Sequence, residues 1–221
     1  MNYIKIDTED VCNGDGLRVV LWLSGCSHHC KGCQNPQTWD TNGGVSFDKS
    51  AKEELFRELD KNYISGITLS GGDPLNKANL DDVLDLVSEI NKHYNETQDI
   101  VCYNKKNHNI LNRNTNEIRL LFPNKSIWLY TGYEVIGIQD GLFVLSPNVI
   151  TDKVLEPEEM VDRIKEDIKR SDIIKQCDVL IDGRYIEEKR DITLKWRGSS
   201  NQRVINVQKS LQKNEIVLHC D

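Results

Sequence analysis

Between Cys26 and Cys33 the chain places three of its seven cysteines within eight residues, in the run Ser24-Gly25-Cys26-Ser27-His28-His29-Cys30-Lys31-Gly32-Cys33-Gln34-Asn35. No other stretch restricts the fold so strongly. Thiols spaced in this way can converge on one centre if the backbone turns tightly around it, and Gly25 and Gly32 permit such turns because they lack a Cβ. A structural zinc site ordinarily takes four protein ligands in two separated pairs, so three clustered cysteines describe a centre with one position left open. Soft sulfur donors select zinc, copper(I) or iron–sulfur clusters, and a cubane on three cysteines leaves one iron for a substrate or cofactor. Two plainer readings stand beside this one: cysteines acting as small buried hydrophobes, and a zinc knuckle completed by His28 or His29.

The scaffold around the cysteines is legible as alternating strand and helix. Leu17 to Leu23 is a near-continuous apolar run, which reads as a strand buried on both faces, and the cysteine loop leaves its C-terminal end, where α/β folds gather their ligand sites. Before it, residues 1–16 read as an irregular lead-in closed by the turn Asn13-Gly14-Asp15-Gly16. Asp48 to Tyr63 sets Leu55, Phe56 and Leu59 against Glu53, Glu54, Arg57 and Glu58, an amphipathic helix with Ser46 or Asp48 as N-cap. Gly66 to Ser70 is a second strand, and Gly71-Gly72 follows it as a loop that can bring bare backbone against a ligand. Val83, Leu84, Val87 and Ile90 then repeat at helical spacing. This alternation predicts right-handed crossovers and a largely parallel sheet in an α/β fold.

The second half is more irregular. Seven asparagines between Asn104 and Asn124 make a polar stretch with too little apolar area to offset its ordering entropy, so about 96–125 reads as a loop or peripheral hairpin, with Ile100 to Tyr103 and Ile118 to Phe122 as candidate short strands. Ser126 to Thr131 is a further strand. An expanded segment at about 138–175 holds a candidate strand at Gly141 to Leu145 and a helix opened by Pro157, with Met160, Val161, Ile164 and Ile168 on one face. Cys177 to Gly183 returns to a buried strand, and 1–221 is read as one domain.

Composition excludes several classes. A net charge of −7 without a basic tract lacks the footprint of a nucleic-acid binder. No run approaches the roughly 18 apolar residues of a membrane span, and Met1 to Lys5 lacks the apolar core of a secretory signal. An odd cysteine count, with Cys12, Cys102, Cys177 and Cys220 scattered, is unlike a secreted disulfide framework, so a reducing cytoplasmic location is expected.

Cys26-x-x-x-Cys30-x-x-Cys33 resembles the cluster motif of the radical S-adenosylmethionine (radical SAM) enzymes, and Gly71-Gly72-Asp73-Pro74 is similar to their methionine-binding glycine motif. Asn13 to Arg18, Asn35 to Trp39, Trp128 to Tyr133, Asp178 to Gly183 and Trp196 to Arg203 resemble, in the same order, blocks of the glycyl-radical activating enzymes that serve anaerobic ribonucleotide reductases. The resemblance runs from about residue 1 to 95 and resumes at 126. Asp15 stands where that family usually has proline, and Gln34 where it usually has an aromatic residue.

What the resemblance implies is specific. The fold would be a partial (βα) barrel of radical SAM type with a polar insertion. Cys26, Cys30 and Cys33 would hold a [4Fe–4S] cluster whose open iron chelates S-adenosylmethionine, with Gly32, Cys33 and Gln34 nearest the adenine and Gly71, Gly72 and Asp73 nearest the methionine amino group. An external one-electron donor such as flavodoxin would drive cleavage of the sulfonium, and the resulting 5′-deoxyadenosyl radical would take a hydrogen from a glycine of the reductase large subunit. No catalytic residue beyond the cluster and cofactor site is assigned, and the family permits a homodimer. His28 and His29 would tune the cluster, contact the partner or sit as solvated loop residues, and Trp196, Arg197, Asn201, Gln202 and Arg203 would form an interface or cap a C-terminal strand. The alternatives are a radical SAM enzyme acting on a small molecule and a non-catalytic zinc-binding adaptor.

Overall fold

The computed structural model describes residues 1–95, 101–103, 110–112, 124–146 and 156–220, the two short segments as backbone. In chain order the elements are β1 (Asn2–Asp10), β2 (Arg18–Leu23), β3 (Val45–Ser46), α1 (Lys49–Leu59), β4 (Gly66–Gly71), α2 (Leu80–Ile90), β5 (Val101–Tyr103), β6 (Ile110–Asn112), β7 (Ser126–Tyr130), β8 (Val135–Gln139), β9 (Leu142–Leu145), α3 (Pro157–Lys175), β10 (Val179–Asp182), β11 (Arg203–Asn206) and α4 (Val207–Lys213). Seven strands form one sheet in the order β11-β10-β7-β4-β2-β1-β3. Its centre, β2, β4, β7 and β10, is parallel, and the flanking β1, β3 and β11 are antiparallel.

Side-chain alternation divides the sheet into two faces with different tasks. Leu21, Leu69, Leu129 and Leu180 stand in one register row across the four parallel strands, all fully buried. Burying each contributes roughly 1.5–3 kcal/mol. Against this face pack Leu55 and Leu59 of α1, Val83, Leu86, Val87 and Ile90 of α2, Ile173 and Ile174 of α3, and Val207 of α4. Asp48 is the N-cap of α1, its carboxylate accepting from the Ala51 N–H. The alternate positions Trp22, Ser70 and Tyr130 belong to the opposite face and line a cavity.

The structure departs from the sequence reading at several elements. Residues 2–10 are a nine-residue strand and not an irregular lead-in. Lys5, Asp7 and Glu9 disguised it, because a strand beside the sheet edge keeps one side wet while Tyr3 and Ile6 pack on the core. Glu58, read as part of the solvated side of α1, is buried and paired with Lys61. The hairpin of β8 with β9 extends the single strand expected at 141–145. Met160, Val161, Ile164 and Ile168 share a face of α3, but it faces outward and each is about half exposed. At 19 residues α3 is about 28 Å long, whereas its neighbour β10 has four residues, so the core contacts are confined to the last turns of the helix.

Most of the segment read as an insertion lies outside the described residues, as does the candidate strand Ile118 to Phe122. Within it β5 pairs with β6 in a separate two-stranded sheet. Lys125, at its C-terminal boundary, is part of the framework: it is 1% exposed, and its Nζ donates to the carbonyls of Lys61 (2.9 Å) and Ile64 (2.6 Å). Among the described residues no helix is long and apolar enough to cross a membrane.

Candidate cofactor site

Three loops leave the C-terminal ends of adjacent parallel strands β2, β4 and β7 and meet over one cavity of about 470 Å³. Cys26, Cys30, Cys33 and Gln34 come from the first loop, Gly71, Gly72 and Asp73 from the second, and Thr131 and Gly132 from the third. The loops close together because their backbones bond directly. The Gly72 N–H donates to Leu23 O (2.8 Å) and the Asp73 N–H to Gly25 O (2.7 Å). A Cβ on Gly72 would lie 2.5 Å from the Gly25 carbonyl oxygen, so this approach admits only glycine.

The cysteine environment suits a cluster. The Cys26 thiol is pushed up to about 12, first by burial and then by Asp73, while the backbone N–H groups of His28 and His29 pull the other way. Burial also raises Cys30, opposed by the Tyr185 N–H, and the Asn35 N–H reaches Cys33 Sγ at 3.4 Å. Thiolates ligating iron need such N–H donors, and loading must release the thiol protons. Three sulfur donors lining one cavity match a [4Fe–4S] cluster with an open iron. Among the described residues no three His, Cys, Asp or Glu side chains are grouped to hold a single metal ion. His28 and His29, considered as completing a zinc knuckle, are engaged elsewhere: His28 with Asp73, and His29, at φ 46°, edge-on to Trp39.

Asp73 is 1% exposed and its carboxylate is heavily used. It accepts from the Leu75 N–H (2.8 Å), from Thr131 Oγ1 (2.9 and 3.0 Å) and from the Gly132 N–H (3.1 Å), and lies 2.5 Å from His28 Nε2. Its side chain therefore ties the loops, beside Gly71 and Gly72 in the cavity lining. His28 is buried, 7% exposed, and not a solvated loop residue; its Nδ1 has no protein partner. Of the eight residues expected at the cluster or the cofactor, Gly32 alone does not line the cavity. At φ 72° it makes room for the Glu187 carboxylate, which stands where a Cβ would be.

The block from Trp196 to Arg203 serves the fold and the cavity together. Gln202 Oε1 accepts from the Gly198 (3.0 Å) and Ser199 (3.2 Å) N–H groups and its Nε2 donates to Gly183 O (3.0 Å), which fixes the strap joining β10 to β11. Asn201 donates to Arg184 O, and Arg203 opens β11 paired with Asp182. Trp196 and Arg197 line the cavity from that strap. Sequence reasoning assigned no role to Trp22, Tyr130 or Thr131. The last two sit in a block already marked by resemblance, and their position at the C-terminal end of a third parallel strand was the available signal.

A family model described as a 4Fe-4S single cluster domain matches residues 12–118 and 105–205. The chain is similar to the anaerobic ribonucleoside-triphosphate reductase-activating protein of Enterobacteria phage T4, 35% identical over 205 residues that cover 92% of this chain and 93% of that one. It is similarly related to the proteins of that name from Haemophilus influenzae, 31% identical over 91% of this chain and 96% of that one, and Escherichia coli K12, 32% identical over the same shares.

Proposed function

The chain belongs to the anaerobic ribonucleoside-triphosphate reductase-activating protein family and carries a 4Fe-4S single cluster domain, and from this premise we propose that it is a radical SAM activase that installs a glycyl radical on an anaerobic ribonucleoside-triphosphate reductase. The observation that carries the reading is the convergence of the three-cysteine loop and the Gly71-Gly72 loop on one cavity. Cys26, Cys30 and Cys33 would hold a [4Fe–4S] cluster, which supplies, when bound, an open iron for S-adenosylmethionine and the electron for its reductive cleavage.

The remaining work falls to the chain's own groups. Bare backbone at Gly71 and Gly72 accepts the methionine end without a side chain in the way, and Cys33 and Gln34 stand at the adenine end, Gln34 offering hydrogen bonds in place of an aromatic stack. N–H donors around the sulfurs tune the potential, and the Tyr185 to Arg197 strap limits water at the cavity mouth. The sheet is read as a partial (βα) barrel with its mouth on this face. The electron comes from an external donor such as flavodoxin in the cytoplasm.

The test is anaerobic reconstitution followed by electron paramagnetic resonance with the cognate reductase. A protein with about four irons and four sulfides that, with S-adenosylmethionine and dithionite, yields 5′-deoxyadenosine and a glycyl radical on the reductase supports the proposal. Cofactor cleavage without a glycyl radical overturns the activase reading in favour of a small-molecule substrate.

A further inference from the structure

We propose that His28 is the positioning residue that joins the cysteine loop to the Gly71-Gly72-Asp73 loop, so that the geometry of the cluster ligands and that of the cofactor pocket are set together. The inference rests on the radical SAM reading and adds to it a residue at a variable position between the first two cysteines of the motif. Past Cys26, His28 carries the link between the two loops. Its Nε2 lies 2.5 Å from Asp73 Oδ2, with the ring buried. Asp73 passes the connection to the third loop through Thr131 Oγ1 and the Gly132 N–H.

The surroundings are shaped for this ring. A Cβ on Gly132 would lie 2.4 Å from His28 Cδ2, so glycine there is what admits the imidazole. Tyr133 meets the ring edge-on with centroids 4.9 Å apart, and the Arg170 guanidinium covers Tyr133 at 4.7 Å. Arg170 is itself buried and donates to Leu75 O, on the loop that follows β4. The imidazole is thus held from two sides while it holds Asp73. The contact the brace uses is an Nε2–H donated to the Asp73 carboxylate, which offers acceptor oxygens. Loss of that donor removes one of the hydrogen bonds to the buried Asp73 carboxylate and leaves the cysteine loop beyond Gly25 without its side-chain tie to the glycine loop.

The test compares His28→Phe, which keeps a ring between Gly132 and Tyr133 but has no N–H, with His28→Gln, which restores an N–H donor. Both are reconstituted anaerobically, and three quantities are read: iron and sulfide per chain, the S-adenosylmethionine dissociation constant by equilibrium dialysis, and the change in the resonance spectrum of the reduced cluster on adding S-adenosylmethionine. His28→Phe is expected to load iron and sulfide like the wild type, bind S-adenosylmethionine about tenfold more weakly and lose the spectral change, while His28→Gln recovers most of both. An unchanged dissociation constant and spectral change in His28→Phe overturns the proposal. Should that variant fail to fold, His28→Gln decides alone, and wild-type affinity and spectrum support the brace whereas loss of either removes it. A wild-type protein that neither assembles a cluster nor binds S-adenosylmethionine would instead overturn the underlying radical SAM reading.

Discussion

At Gly132 one hydrogen atom decides whether the His28 ring fits. Replacing it by a methyl brings that carbon within 2.4 to 2.7 Å of three imidazole atoms, so Gly132→Ala should displace the ring and destabilise the chain by about 1–3 kcal/mol. In a His28→Ala background the same change should cost less, because the clash is gone; thermal unfolding of the four proteins measures the non-additivity, and additive costs would contradict the packing argument. A second residue-scale prediction concerns the thiols. Serine at Cys26, Cys30 or Cys33 should abolish cluster loading, whereas serine at Cys12 or Cys220 should not, as iron and sulfide analysis would show. The cysteine trio was readable because ligand spacing is a local property of the chain. The burial of His28 was not, since its partners Asp73 and Gly132 lie far along the sequence and a histidine in a glycine-rich loop looks the same whether solvated or enclosed.

At the scale of elements, α3 separates pattern from packing. Ile164 and Ile173 are both apolar residues of one helix, yet Ile164 is 56% exposed and Ile173 fully buried among α2 and the sheet. Ile164→Gln should therefore move the unfolding midpoint by no more than about 2 °C, while Ile173→Ala should cost about 2–4 kcal/mol and lower it by roughly 5–15 °C in a chain of this size. Periodicity located the helix and its Pro157 start, but not which end reaches the core, because that depends on how far the sheet extends. The parallel strands β2 and β10 were legible from their apolar runs, as fully buried strands require, and β4 from its place between two amphipathic helical patterns. The edges were not: β1 carries a charge at every second position from Lys5 to Glu9, and β11 begins inside a polar block whose Arg203 finds its partners, Asp182 and the Val135 carbonyl, far along the sequence. Trp22 shows what the missed edge does, since Asp7 of β1 accepts from its indole N–H (2.7 Å) and fixes it in the cavity wall.

At the scale of the whole molecule the question is what the polar stretch after α2 contributes to this framework. Its two ends are pinned to each other: Asn95 Nδ2 donates to Lys125 O (3.0 Å), and the Lys125 N–H donates to Asn95 Oδ1 (2.9 Å). The backbone thus leaves and returns at one point, and the closing lysine is anchored below by the carbonyls of Lys61 and Ile64. Replacing 97–123 by a short Gly/Ser linker asks the chain to span only that gap, and a shorter loop lowers the closure entropy by about 1 kcal/mol. The shortened protein is therefore expected to fold, keep its unfolding midpoint within a few degrees and load iron and sulfide as the full chain does, provided that Asn95 and Lys125 are retained. Extending the deletion through Lys125 should behave differently, because the buried Ile64 carbonyl then loses its donor at about 1–3 kcal/mol, and the Lys61 carbonyl keeps only the Ile64 N–H. Insoluble protein from the shorter deletion would show that residues 97–123 hold part of the core, whereas equal stability of the two deletions would show that Lys125 is not the anchor its hydrogen bonds make it.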